Sequence, residues 1–255
     1  MPNWFMLVLA IAASIGVVVL VVVLRDRRSS EEEVDPDETP DVIEYMTMMI
    51  GVVYAIVLGL AIAGVWEARD GADATVRREA FALNAVSERA AAWPEPERSR
   101  LRAAVEEYVH YAVHEEWGEM ASGDGLTGQG DELMASINAV VGSYEPKTDA
   151  ENRAAYAIAD QASAAEEARD DRALDAGPTL PPLVWFGLVA GGMVAVGMVF
   201  ALQIQRSPRE LILAGVHSAL LAFLLYLVWD FDAPYAHDAT ALKEPFVMLF
   251  PRAAG

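Results

Sequence analysis

Not one cysteine occurs in the chain. Disulfides, thiolate metal sites and cysteine nucleophiles are thereby excluded. Basic charge is scarce too: 18 Lys and Arg stand against 38 Asp and Glu, a formal net charge of −20. Phosphate binding requires clustered Lys and Arg, so nucleic acid is not an expected partner. No strand pattern, phosphate loop or nucleophile elbow is found along the chain. The expectation is no enzyme and no cofactor.

What is present is apolar. Of the 255 residues 54% are hydrophobic, and mean hydropathy is positive. Such a composition joined to so large a charge implies segregation, with apolar residues in lipid and charged residues in water. Four runs approach the roughly 20 apolar residues that a bilayer requires. They are Trp4–Leu24, Ile43–Trp66, Leu183–Leu202 and Leu211–Trp229, none with Asp, Glu, Lys or Arg in its middle. Trp4, Trp66, Trp185 and Trp229 lie near their ends, where amphipathic rings favour the headgroup layer. The first run is read as a span and not as a cleaved signal. No basic region precedes it, and Arg25, Asp26, Arg27 and Arg28 come after it as a stop-transfer signal would.

The expected architecture is an all-α membrane protein, with four transmembrane helices in two pairs flanking a helical soluble domain. Residues 1–28 hold the first span, 29–42 an acidic linker, and 43–66 the second span. Residues 67–180 form the soluble domain, 181–230 the last two spans with a short basic loop, and 231–255 a C-terminal segment. Orientation is set by the short loops, where Arg25, Arg27 and Arg28, then Arg206 and Arg209, mark the cytoplasmic side. The soluble domain is therefore expected outside a plasma (inner) membrane.

Small residues recur every four positions in the second run, at Gly51, Ala55, Gly59 and Ala63, and in the third at Gly187, Gly191 and Ala195. Such ridges let helix backbones approach closely in lipid. The ridge of the second run serves packing within one subunit, contact between subunits, or a pore-lining face. His217 is the one ionisable side chain inside a run, either a functional group or a neutral imidazole bonded to a neighbour.

Residues 67–180 carry 24 acidic and 11 basic side chains, net −13. The second helix is expected to continue into this region as one rod, because Val76, Ala80, Leu83, Val86 and Ala90 keep helical spacing until Pro94 and Pro96. The next helix runs to about Met120, with Leu101, Val105, Tyr108, Val109 and Ala112 on its apolar face. Four glycines make residues 122–131 a loop. Helices at about 132–141 and 148–176 complete the domain. His110 and His114 have zinc-compatible spacing but no identifiable third ligand. Glu115, Glu116 and Glu119 are expected to pair with arginines such as Arg169 and Arg172, or to face water.

The order of several short motifs is familiar. They are GVVYAIVLGLAIAGVWE (51–67), RREA with the subsequent Leu83, WPEPERSRLR (93–102), and EEW (115–117) after Tyr108. Arg169 and Arg172 come next, then PPLVW (181–185), FDAPY (231–235) and EPF (244–246). From about Tyr45 to Phe250 the chain resembles the bacterial and plant bestrophin-like domain family. The resemblance marks Trp66, Glu67, Glu79, Tyr108, Glu116, Trp117, Arg169, Arg172, Asp232 and Pro234. One departure lies in the last motif, where Phe231 replaces an aliphatic residue and Ala236 a glycine. The family is likened to bestrophins, oligomeric anion channels with a helical domain between their second and third membrane helices. The resemblance implies a homo-oligomeric ion channel, with membrane lipid, further copies of the chain and inorganic ions as partners. Bestrophins hold that domain in the cytoplasm, against the loop charges here. A pore lined by the second helix would place Glu67 at its mouth as a ring of negative charge, which favours cations. The alternative is a membrane-anchored sensor or scaffold. It predicts no axial path, and an exposed apolar or aromatic patch near Trp93, Tyr108, Tyr111 or Trp117.

Overall fold

The computed structural model describes residues 41–122, 125–201, 208–237 and 239–254. The first run, Trp4–Leu24, the bulk of the acidic linker, and Arg206 lie outside them. All the described elements are helical: α1 (Asp41–Arg89), α2 (Glu97–Tyr111), α3 (Trp117–Ser122), α4 (Gly128–Ser143), α5 (Asp149–Leu174), α6 (Pro182–Ala201), α7 (Pro208–Asp232), α8 (Pro234–His237) and α9 (Ala239–Leu249). They fall into two compact units, residues 1–66 with 180–232, and residues 67–179 with 233–255.

Two helical stretches are long and apolar enough to cross a bilayer, Tyr45–Ala92 and Ile212–Asp232, while Pro182–Met198 is a shorter apolar helix. In the first unit Tyr54, Leu58, Ala61 and Val65 form one stripe of α1 and pack with Leu188, Ala195 and Val228. The Tyr54 hydroxyl donates to the Leu188 carbonyl at 3.0 Å. Gly191 is needed for that contact, since a Cβ there would stand 2.6 Å from the Tyr54 ring. Asp232 fastens two chain segments, accepting the Leu180 N–H at 2.7 Å and the Trp185 Nε1–H at 2.9 Å. Trp66 meets Phe231 edge-on at 5.2 Å.

The second unit is built on the part of α1 that runs without a break from Glu67 to Arg89. A 3₁₀ turn, Ala90–Ala92, ends that helix. Ala72, Val76, Ala80, Leu83 and Val86 are buried at helical spacing against Leu101, Val105, Tyr108 and Val109 of α2. The helix after Pro96 is not regular to Met120, as residues 112–116 form a π-helical turn. A π turn takes up an extra residue and resets the phase of the helix beyond it. Ala112, Val113, Glu116, Trp117 and Met120 all face inward. The glycine-rich stretch is not all loop, because α4 begins at Gly128. Thr127 caps that helix, its hydroxyl accepting the Gly130 N–H at 3.1 Å, and such a cap offsets part of the low helix propensity of two glycines. The C-terminal segment belongs to this core: Tyr235, Leu242, Phe246 and Phe250 are buried in it.

Candidate functional site

Six of the ten motif residues meet in one place. Glu79, on α1, sits in the phase of Val76, Leu83 and Val86 and is fully buried. Arg169 and Arg172, on α5, continue the buried stripe of Ile158, Ala162 and Ala165. Glu116 arrives from the π turn. Burying an ion is costly unless it is paired and its remaining donors and acceptors are satisfied, and these four groups supply one another.

Glu116 bridges the two guanidiniums, with Oε1 accepting from Arg169 Nη2 at 2.6 Å and Oε2 from Arg172 Nη2 at 2.9 Å. Arg172 also donates through Nη2 to Glu79 Oε1 at 3.2 Å. Its Nε stands 2.9 Å from Glu79 Oε2, too far off axis for a hydrogen bond. The Tyr108 hydroxyl donates to Glu79, and the Arg172 guanidinium lies 5.6 Å from the Trp117 ring centroid. Arg169 reaches outward to Asp131 at 2.5 Å and donates to the Thr127 carbonyl. Two carboxylates and two guanidiniums cancel in formal charge.

Burial opposes the charge on Arg169 and Arg172, but the adjacent acidic groups outweigh it and hold both guanidiniums above their ordinary pKa. Burial, reinforced by the Glu79 carboxylate, pushes the Tyr108 hydroxyl well above its ordinary value near 10.0. Tyr235, packed on Trp117 at 5.6 Å, is raised for the same first reason. Lys243 stands 5.4 Å from the centroid of the same Trp117 ring and donates to the Val113 carbonyl at 2.7 Å. Its pKa is lowered by burial. The charges of the cluster are spent on one another, so the arrangement locks α1, the π turn, α4 and α5 together.

Gly130 completes it, and sequence reasoning missed this residue. A Cβ at Gly130 would overlap the Glu116 carboxylate and the Arg169 guanidinium. Thr127 was missed as well. Its hydroxyl contacts Tyr111 at 2.8 Å and Glu116 at 3.3 Å.

The remaining candidates lie elsewhere. Trp66 and Asp232 make the first-unit contacts given above, Pro234 is buried, and Glu67 is exposed. Gly51, Ala55, Gly59 and Ala63 are all exposed, and a Cβ at Gly51 or Gly59 would meet nothing within 4 Å. Gly51, Ala55 and Gly59 face a cavity whose opposite wall includes Ala195 on α6 and Leu220, Leu221 and Leu224 on α7. His217 is exposed and lines the same apolar cavity, of about 450 Å³. His110 and His114 are exposed, with ring centroids 4.6 Å apart. No group of three or more His, Asp or Glu placed to hold a metal occurs among the described residues. The four aromatic residues named for an anchored scaffold make no exposed patch among the described residues. Trp93, Tyr108 and Trp117 are core residues, and Tyr111 is half-buried and bonded to Thr127.

No curated protein and no solved structure matches the chain. A family model described as Bestrophin-like domain matches residues 4–246. With nearly its whole length matched and its apolar helices long enough to span a bilayer, the chain is a membrane protein that belongs to the bestrophin-like domain family.

Proposed function

We propose that the chain forms an oligomeric ion channel, with its pore on the oligomer axis and lined by α1. The observation that carries this reading is the ridge of Gly51, Ala55, Gly59 and Ala63. It is exposed on a helix of the apolar unit, and its two glycines face open space. Small residues in lipid are useful where another helix or a conducting path must come close. A single subunit has too few polar groups in its spans to enclose a hydrated path, so the path belongs to an assembly. Exposed aliphatics on the same helix, among them Val52 and Ile56, would gate it by dewetting. Glu67 is exposed one turn beyond Ala63. Repeated around an axis it makes a ring of negative charge, which selects cations. The partners are further copies of the chain, membrane lipid and inorganic ions. All four apolar runs cross the plasma membrane, and the acidic unit lies outside it.

The test is ion flux through purified full-length protein in a planar bilayer under a salt gradient. A protein-dependent, saturable conductance is expected, with a reversal potential on the cation side that moves toward zero in Glu67→Gln. Silence across voltage, pH and calcium would overturn the reading.

A further inference from the structure

We propose that the first apolar run, Trp4–Leu24, seats in a groove between α1 and α6. The groove measures about 730 Å³ and is walled by apolar side chains, with Met46, Met49, Val53 and Val57 on α1 and Gly187 and Gly191 on α6. Met46, Met49, Val53 and Val57 are 46–59% exposed. A Cβ at Gly187 would meet nothing within 4 Å, so a helix can approach the α6 backbone there.

Three observations select the occupant. The first is the length of chain and the point where it joins. Trp4–Leu24 holds 21 residues without a charge, and only 16 residues separate it from Asp41, the first residue of α1. Sixteen residues reach at most ~55 Å, and the groove opens at Met46, within two turns of that junction. The second is tethering. A segment held so near competes at an effective concentration of roughly millimolar order, far above that of a free copy in the bilayer. The third is complementarity of size. The run carries Ala10, Ala12, Ala13, Ser14 and Gly16 in its middle, and small residues permit the close backbone contact by which helices associate in lipid. Antiparallel pairing of the two runs brings residues 12–15 roughly level with Val53 at a rise of about 1.5 Å per residue. The groove also lies on the side of α1 turned away from Ala55 and Gly59, since successive side chains advance by about 100°. Seating the first run leaves the small ridge open. The assignment holds whether or not the protein conducts.

The cysteine-free chain allows a direct test. Ala12, Ala13, Ser14 and Ile15 are changed to Cys one at a time, which samples every face of a helix, each together with Val53→Cys. The matching set uses Val52→Cys, which is exposed but points away from the groove. Full-length protein is oxidised in membranes and separated by gel. A disulfide needs Cβ atoms about 4 Å apart. At least one Val53 pair is expected to close within a single chain, at a yield some tenfold above every Val52 pair. Circular dichroism of each variant checks folding, and a parallel set of residues 8–11 with Val57→Cys repeats the reading should one pair misfold. Cross-linked dimers through Val53 would give the groove to a second copy. Closure with Val52 alone, or with neither, would remove the first run from the groove. Each of those results overturns the proposal.

Discussion

Around Glu116 the side chains determine one another. Its two oxygens hold two arginines, and the only residue that fits against the Glu116–Arg169 pair at position 130 has no side chain. Replacing Glu116 by Ala leaves Arg172 with Glu79 alone as its counter-ion and Arg169 with the exposed Asp131 alone. Removing one partner of a buried pair costs about 3–5 kcal/mol, so Glu116→Ala is expected to lose that much in chemical denaturation of the detergent-solubilised chain. Gly130→Ala is expected to lose about 1–3 kcal/mol by overpacking. Arg172→Lys should not restore the wild type, because an ammonium cannot reach both Glu79 and Glu116 in the geometry of a planar fork. Parts of this cluster were legible in the sequence. Glu79, Arg169 and Arg172 stand at core positions of their helices, which is itself a signal of buried pairing. Gly130 and Thr127 were not legible, because their neighbours come from other elements and the glycines read locally as a loop.

The same cluster has a pH signature. Tyr108 and Tyr235 are raised by burial first, and Tyr108 next by the Glu79 charge. A group whose folded pKa exceeds its unfolded value keeps its full contribution below the unfolded value and loses it as pH rises. Here the loss begins near pH 10.0, the ordinary value of both hydroxyls, where the unfolded chain ionises and the fold does not. Each tyrosine then lowers stability by about 1.4 kcal/mol per pH unit. Denaturation midpoints should hold steady from neutrality toward pH 10 and fall beyond it. The ultraviolet tyrosinate signal of these two residues should appear only with unfolding. Tyr108→Phe should make the alkaline decline shallower, at the cost of its bond to Glu79.

At the scale of the element, two glycine-bearing helices that look alike in sequence behave differently. On α6 a Cβ at Gly191 meets the Tyr54 ring at 2.6 Å, while on α1 one at Gly59 meets nothing. Gly191→Ala is therefore expected to destabilise the apolar unit by about 1–3 kcal/mol, read in detergent unfolding, and Tyr54→Leu should recover part of the loss. Gly59→Ala is expected to leave that stability unchanged and to reduce conductance, since the added methyl group faces the proposed axis. Loss of stability in Gly59→Ala would show that the ridge is already packed. Periodicity made the helix faces legible, as the buried positions 76, 80, 83 and 86 of α1 and 101, 105, 108 and 109 of α2 attest. It could not reveal the π turn at 112–116, because the buried positions on either side of it also keep ordinary helical spacing. Nor could spacing alone tell a ridge filled by an aromatic ring from an open one.

For the whole molecule the decisive matter is which side of the membrane holds the acidic unit. The 11 basic residues of 67–180 argue little, because long loops cross regardless of charge. The short loops argue more. Arg25, Arg27 and Arg28 come directly after the first apolar run, and Arg206 and Arg209 separate the last two. Basic side chains near span ends stay in the cytoplasm. On the proposed topology of four spans, the region between the second and third runs faces outward with its net −13. A native chain without cysteine gives this a clean measurement. Ser143 is exposed at the end of α4, so Ser143→Cys should react with a membrane-impermeant maleimide on intact cells as fully as after lysis. Reaction only after lysis would place the unit in the cytoplasm, as in bestrophins. It would also put Glu67 at the cytoplasmic mouth of any axial pore, so that substitution of Glu67 would alter block by cations added from that side alone.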